Sequence, residues 1–301
     1  MRRKYGIILA LILITCPLLA YGADIVTIQS VSIKQYNDAL EGFEKACDCS
    51  TKSYRLSEVE DIGLDKIISR EKPEVVAAIG VDALKKAREI KDIPVIYFMV
   101  PNPSRLIAGS SNITGVSMNM SPAKQLVSIK LALPDLMSVG VVYDPERTGP
   151  FVAKAARAAE AQGIKLVTRK VSDSREVPFA LKSLKGEVEA IWMLPDLTVL
   201  RAEILEFMFM YAAENRMPVI AFSEKYVKSG AMMSIDISPS DIGVQAGEMA
   251  ARVLAGVRVR DLPGLEARKA EITVNYRVAT RLNWNINEKE FNTAKTVNAV
   301  Q

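Results

Sequence analysis

Polar and charged side chains follow several of the predicted β-strands. They include Gln29 and Ser30, Gly80 and Asp82, Asn102, residues 143–147, Asp196, and Ser223 with Glu224. In open α/β sheets, ligands bind beyond the carboxyl ends of the strands. The set combines hydrogen-bonding groups, charges of both signs and an aromatic ring, as a small-molecule site requires. The pattern therefore predicts a cleft for a small organic ligand.

Several of these residues also have a local explanation. Asp82 and Ser223 suit the position before a helix, where a short polar side chain caps free backbone N–H groups. Pro103 and Pro145 suit tight turns. The ligand-binding and the local interpretations are both left open by the sequence.

The absence of histidine restricts the chemistry of the chain. None of its 301 residues is His, which excludes a Ser-His-Asp or Cys-His triad and any His metal site. The sequence also lacks a phosphate-binding loop, a dinucleotide-binding glycine motif and a nucleophile elbow. We therefore expect a binding protein without a cofactor or a metal, and not an enzyme. Acid–base catalysis by Asp and Glu alone is the remaining enzymatic alternative.

Two similar series of alternating strands and helices must position the candidate residues. Strands are predicted at residues 25–28, 53–56, 75–79 and 95–100, and again at 139–143, 165–171, 190–194 and 219–222. Shorter strands are predicted at residues 115–118 and 231–235. Amphipathic stretches separate the strands, which is typical of parallel sheets covered by helices. The sequence thus predicts an α/β protein with two lobes of the same design.

The N-terminus has the three regions of a secretory signal. A basic start over residues 2–4 precedes an apolar stretch over residues 6–20, and Ala20 and Gly22 suit cleavage after residue 22. A membrane anchor, or a lipoprotein cut before Cys16, is the alternative. Removing the leader lowers the net charge from +4 to +1, because it holds three basic and no acidic residues. We expect an exported protein with no nucleic-acid partner.

The mature chain would retain two cysteines, Cys47 and Cys49, one residue apart. A bridge over a single residue would be strained, so no disulfide framework is implied. Two thiolates alone also make a weak metal site. We expect a turn that holds two ordinary thiols, with the redox state of the pair left open.

Several segments resemble a known family. They are residues 73–80, 93–97, 112–117, 139–145, 195–199, 230–231 and 241–243. In this order they are similar to segments of ABC-transporter substrate-binding proteins of the type I periplasmic binding fold, in the branch with aromatic amino-acid binders. The resemblance runs from about residue 70 to residue 282.

The resemblance implies two Rossmann-like lobes that close like a hinge on a ligand in the cleft between them. The chain is expected to cross between the lobes near Pro134, Ile237 and Arg258. On this basis the first lobe comprises residues 23–134 and 238–257, the second lobe residues 135–237 and 258–285, and a flexible tail residues 286–301.

The resemblance also implies a function and a set of contacts. The protein would capture a small organic ligand, such as an amino acid, in the periplasm and deliver it to an inner-membrane ABC permease. The alternative is a ligand-sensing module that feeds a membrane sensor or an outer-membrane receptor. The implied ligand contacts are Ser30, Gly80, Asp82, Asn102, Tyr143, Glu146, Thr148, Asp196 and Ser223.

The chain departs from the family pattern at two of these loops. Glu146-Arg147-Thr148 replaces the Glu-Ala-Asn-Ser-like stretch of the amino-acid binders, and Asn102-Pro103 replaces the usual Asp-Pro. The identity of the ligand therefore stays open.

Overall fold

The computed structural model describes residues 23–287 and 295–296. The expected leader, residues 1–22, lies outside the described residues, as do residues 288–294 and 297–301. Among the helices of the described part, none has the length and the apolar content needed to cross a membrane.

The first series of elements forms one lobe. Its strands are β1 (Ile25–Gln29), β2 (Thr51–Arg55), β3 (Val75–Ile79), β4 (Val95–Val100) and β5 (Ile113–Ser117). Its helices are α1 (Lys34–Cys47), α2 (Leu56–Ile62), α3 (Leu64–Glu71), α4 (Val81–Ala87) and α5 (Ser104–Ile107). Every residue of β1, β3, β4 and β5 is buried. This explains their nearly continuous apolar sequences, because a parallel sheet is covered by helices on both faces.

The second series forms the other lobe. Its strands are β6 (Ser138–Tyr143), β7 (Lys165–Lys170), β8 (Ala190–Trp192), β9 (Val219–Ala221) and β10 (Met233–Ile237). Its helices are α6 (Pro122–Ala132), α7 (Pro145–Ala161), α8 (Val177–Lys182), α9 (Ala202–Glu214) and α10 (Glu224–Lys228). Ser121 and Asp144 cap α6 and α7 by accepting the N–H groups of Lys124 and Glu146.

The last elements return to both lobes. They are α11 (Pro239–Leu254), β11 (Leu265–Glu266), β12 (Ala270–Val274), α12 (Tyr276–Arg281) and β13 (Lys295–Thr296). The first sheet has the order β11-β5-β4-β3-β1-β2 and the second the order β13-β12-β10-β9-β8-β6-β7. All pairs are parallel except β10 with β12. The predicted class, an α/β protein of two similar lobes, is confirmed.

Within residues 23–287, the chain passes between the two sheets three times. The first passage (residues 118–121) joins β5 to α6, the second (residue 238) joins β10 to α11, and the third (residues 267–269) joins β11 to β12. The expected crossings near Pro134 and Arg258 lie elsewhere in the structure. Helix α6 already packs Leu126 and Ile129 into the core of the second lobe. Strand β11 keeps the chain in the first sheet beyond residue 258.

The second lobe also extends further than expected at its C-terminal end. Trp284 and Ile286 pack against its core, and the N–H of Asn287 donates to the carbonyl oxygen of Ala132. Strand β13 then pairs with β12. The contacts of Ile286, Asn287 and β13 lie within the segment expected to be a flexible tail, residues 286–301, so at least part of that segment belongs to the lobe.

The expectation of two free thiols is wrong. The structure joins Cys47 and Cys49 in a disulfide. Helix α1 ends at Cys47, and Asp48 then adopts a left-handed conformation (φ 51°, ψ 44°). This turn brings the two cysteine Cα atoms to 5.2 Å, within the range of roughly 4.4–6.8 Å that disulfides span.

Helices α1 and α11 pack backbone to backbone. A Cβ at Gly42 would overlap the carbonyl oxygen of Ser240, and a Cβ at Gly243 would overlap that of Ala39. A Cβ at Gly247 would likewise overlap the carbonyl oxygen of Phe43. The three glycines are therefore required by the close approach of the two helices.

We expect Gly243→Ala to lower the free energy of unfolding by about 1–3 kcal/mol, because the added methyl group must push two helix backbones apart. The matched control is Gly149→Ala in α7, where the new Cβ would lie 3.8 Å from the nearest side-chain atom, Cβ of Pro145. This control should change stability by less than about 1 kcal/mol, since the gain of Ala in a helix is opposed by the steric restriction on the residue before Pro150. Urea denaturation measures both; equal effects of the two substitutions would contradict the packing argument.

Candidate functional site

A cavity of about 690 Å³ lies between the two lobes. The first lobe lines it with the start of α1 (residues 33–36) and with Met99, and the second lobe with Ser223, Asp236 and Glu271. The second passage leads directly into this lining, because Pro239 and Ser240 at the start of α11 also contribute. The cavity therefore lies beside a passage that joins the lobes.

Met99 lines the cavity because of an irregularity in β4. Its backbone is left-handed (φ 57°), and the pairing of β4 with β5 shifts its register between Phe98 and Val100. A bulge of this kind redirects a side chain and is frequent beside functional sites. Met99 is buried, and with Met118 it gives the first-lobe side of the cavity an apolar, adaptable surface.

Tyr36 connects two of the sequence-predicted residues to the cavity. A Cβ at Gly80 would lie 2.7 Å from both the Tyr36 hydroxyl and the Ser30 Oγ, so these three residues meet at the end of the sheet. Ser30 Oγ accepts the N–H of Ala83 at 2.9 Å and donates to the carbonyl oxygen of Ile79 at 3.0 Å. Gly80 is left-handed (φ 90°), and no larger residue would fit.

The Tyr36 hydroxyl is held in its protonated form. Burial raises its pKa, and the carboxylate of Asp82 raises it further. A protonated phenol at the edge of the cavity is a hydrogen-bond donor for a ligand. Asp82 itself pairs with Lys85 at 2.8 Å on the exposed side of α4.

Asp236 forms the polar wall on the second lobe. Its carboxylate accepts the N–H of Glu224 at 3.2 Å and that of Ile237 at 3.0 Å, and it bonds the hydroxyl of Ser223. Burial raises its pKa and the neighbouring Glu271 adds to this rise, while the three hydrogen bonds oppose it. Asp236 and Glu271 are opposite each other in the antiparallel pair β10 and β12.

Three other predicted residues meet at the ends of β6 and β8. Asp196 is fully buried, and its carboxylate accepts the N–H of Asp144 at 2.8 Å, the hydroxyl of Thr148 at 2.7 Å and the N–H of Thr198 at 2.9 Å. Tyr143 is buried in the second-lobe core. The Thr198 hydroxyl in turn donates to Asp144, which lowers the pKa of that carboxyl group. Internal hydrogen bonds thus account for this cluster without a ligand.

The remaining predicted residues are exposed. Asn102 is left-handed (φ 44°), and its N–H donates to Oδ1 of Asn119 at 3.3 Å. Glu146 lies in the first turn of α7. Of the nine predicted contacts, all within the described residues, Ser223 lines the cavity and Ser30 and Gly80 border it through Tyr36.

The sequence reasoning missed Met118, Asp236 and Glu271. Met118 and Asp236 lie at the ends of two predicted short strands, so the rule applied to the longer strands would have found them. Glu271 is at the beginning of a strand, and its position opposite Asp236 depends on an antiparallel pairing between distant parts of the chain. The start of α1 gives no comparable signal.

Two helix-covered sheets, joined by three chain passages and separated by a polar and apolar cavity, define the class of two-lobed solute-binding proteins. The sequence model of the family of ABC transporter substrate-binding proteins matches residues 51–298 of this chain. The match covers most of the sequence, so the chain belongs to this family, and the resemblance stated from the sequence is confirmed.

Curated relatives match part of the chain. A tyrosine-binding protein of Clostridioides difficile (strain R20291) is 28% identical over 214 residues, which are 68% of this chain and 61% of that protein. An uncharacterized protein of Rickettsia prowazekii (strain Madrid E) is 25% identical over 146 residues, 48% of each chain. The matches therefore span between about half and three fifths of the length of these relatives.

Solved structures show the same fold. The ligand-free, open structure of a substrate-binding protein with adhesive properties from Clostridium difficile has a TM-score of 0.72 and 23% identity. An ABC domain in complex with L-Trp from Streptococcus pneumoniae has a TM-score of 0.55 and 23% identity. Each comparison covers 92% of this chain and 99% of the other.

We expect Asp196→Ala to lower the free energy of unfolding of the protein without ligand by at least about 2 kcal/mol, because it leaves buried donors unsatisfied. The control Glu146→Ala removes an exposed carboxylate from the first turn of α7 and should change stability by less than about 1 kcal/mol. Thermal and urea unfolding measure both variants. If the Asp196→Ala protein unfolds with the same free energy as the unchanged protein, the buried cluster has no structural role.

Proposed function

We propose that this chain is an exported solute-binding protein that closes its two lobes on a small organic solute, such as an amino acid or a similar compound. The observation that supports this most is the cavity of about 690 Å³ between the lobes. Its volume lies within the roughly 300–1,000 Å³ of small-molecule sites. A relative that is a tyrosine-binding protein and a solved structure in complex with L-Trp agree with a ligand of this class.

We propose that the ligand lies against Ser223 and Asp236 of the second lobe and against Tyr36 and Met99 of the first. Ser30 and Gly80 would act through Tyr36, by leaving space for its ring and hydroxyl. Each lobe supplies both polar and apolar groups, so closure around a solute would satisfy hydrogen bonds from both sides at once.

We propose periplasmic capture and delivery of the solute to an inner-membrane ABC permease, without chemical change. Membership of the substrate-binding family and the leader expected from the sequence support this role. If deletion of the gene abolishes uptake of the bound solute, delivery to a permease is supported. Unchanged uptake with a lost transcriptional response would favour sensing instead.

A thermal-shift screen of residues 23–301 tests binding. The panel contains amino acids, amines, small carboxylates, purines and sugars. A true ligand at 100 times its Kd should stabilise the protein by about 2.7 kcal/mol, which is about 5–10 °C for a chain of this size. Calorimetric titration then gives the stoichiometry, expected to be one. If no compound of the panel raises the melting temperature, the proposed function is wrong.

Tyr36→Phe tests the position of the site. Loss of the hydroxyl should weaken binding of the solute found in the screen about two- to tenfold, because one hydrogen bond is removed. The matched control is Tyr54→Phe in the same lobe, whose hydroxyl bonds Glu71 at 2.6 Å away from the cavity. This control should leave the Kd unchanged. If Tyr36→Phe, Tyr54→Phe and the unchanged protein all bind with the same Kd, the ligand does not contact the Tyr36 hydroxyl and the proposed position is wrong.

A further inference from the structure

A second cavity, of about 210 Å³, lies in the second lobe between helices α9 and α12, and we call it the α9–α12 pocket. Each helix lines it with three residues spaced i, i+3 and i+4, which are Phe209, Ala212 and Ala213 on α9, and Val278, Arg281 and Leu282 on α12. Residues with this spacing share one face of a helix. Two helix faces therefore oppose each other across the pocket.

The α9–α12 pocket lies at the opposite end of the second sheet from the cleft. Met217 and Pro218, which also line it, come directly before β9, and Gly230 comes before β10. The cleft residues Ser223 and Asp236 instead lie near the carboxyl ends of these two parallel strands. The pocket is therefore separate from the cleft, and an occupant would not compete with a solute held between the lobes.

Small residues leave the space open, and apolar ones line it. Ala212 and Ala213 contribute only methyl groups, and even a Cβ added at Gly230 would lie 4.0 Å from the ring of Phe209. Met217 is buried in the wall. An apolar cavity of roughly 150 Å³ takes up benzene. The α9–α12 pocket, at about 210 Å³, therefore has room for one ring or a short aliphatic chain.

Arg281 is the one charged side chain among the described residues that line this pocket. It is exposed, and within residues 23–287 and 295–296 no side chain forms a hydrogen bond or an ion pair with it. Arg268, by contrast, bonds Asp241 at 3.0 Å and Glu248 at 2.9 Å. A guanidinium is a permanent cation whose planar set of N–H donors matches a carboxylate. The pocket therefore combines an apolar space with an available anion-binding group.

We propose that the α9–α12 pocket binds a small organic anion, a carboxylate attached to one ring or a short apolar chain. The carboxylate would bond the guanidinium of Arg281, and the apolar body would lie against Phe209 and Met217. A simple anion would leave the apolar wall exposed to water, and an organic cation would be repelled by Arg281. This site is additional to the cleft and does not depend on the proposed function.

The first test compares probes that differ in charge or in apolar body by calorimetric titration. Phenylacetate and hexanoate carry both features, 2-phenylethanol and 2-phenylethylamine replace the carboxylate, and acetate lacks the body. For probes of this size we expect a Kd on the order of 0.1–1 mM, and at least one of the two carboxylates should bind about fivefold or more tightly than each comparison compound. Tighter binding of the alcohol or the amine, or no binding of either carboxylate, would overturn the proposal and leave the proposed function standing.

The second test locates the better carboxylate probe by NMR of methyl-labelled methionines. Met217 lines the α9–α12 pocket, whereas Met99 and Met118 line the cleft. The probe should shift the methyl signal of Met217, assigned with Met217→Leu, and leave the signals of Met99 and Met118 unchanged. Shifts of the two cleft signals alone would place the probe in the cleft and overturn the proposal. A Met217 signal that moves with protein concentration, without any probe, would show that a second copy occupies the pocket and would overturn it as well.

The third test changes the pocket itself. Arg281→Gln should weaken binding of the same probe at least about fivefold, because a charge-assisted hydrogen bond is lost, and Ala213→Phe should abolish it by filling the space. The matched control Arg157→Gln removes an exposed arginine of α7 and should leave the Kd unchanged. Melting temperatures verify the fold, because Arg281 also lies in the last turn of α12, where a cation stabilises the helix end. If both folded variants keep the original Kd, the proposed site is wrong.

Discussion

The contact between α1 and α11 is the constraint on which the rest of the molecule depends. Gly42, Gly243 and Gly247 let the two helices touch along their backbones, so their relative position has almost no freedom. The N-terminal end of α1 lines the cavity, and α11 begins where the second passage enters the first lobe. The glycine contact therefore fixes one wall of the cleft relative to the point about which the lobes would rotate.

The same helix also holds the third passage. On α11, Asp241 and Glu248 bond the guanidinium of Arg268, while the Gln245 side chain bonds the backbone at Glu266 and Arg268. The carbonyl oxygen of Asn119 in the first passage accepts the N–H of Ala267 in the third. These bonds join the passages into one unit, so lobe movement must occur as a small change of backbone angles and not as a separation of strands.

The sequence predicted the lobes well and the cleft less well, for physical reasons. Strands such as β3 and β4 are continuous apolar runs because they are buried on both faces, and such runs are visible in a sequence. The apolar residues of α6, such as Leu126 and Ile129, indicate that it packs on a sheet but not on which one, which explains why the sequence indicates a first crossing after α6 and not before it. The opposition of Asp236 and Glu271 arises only from strand register, and the bridge at Cys47 only from the left-handed turn at Asp48.

The disulfide between Cys47 and Cys49 has a consequence for how the protein can be obtained. It closes a loop with one intervening residue, so it restricts the unfolded chain very little, and its effect is confined to the end of α1. Such bonds persist in oxidising compartments and are reduced in the cytosol. Material produced in a reducing cytosol would therefore carry two thiols beside the sheet of the first lobe. The thiol content of a preparation thus records the compartment in which the chain matured.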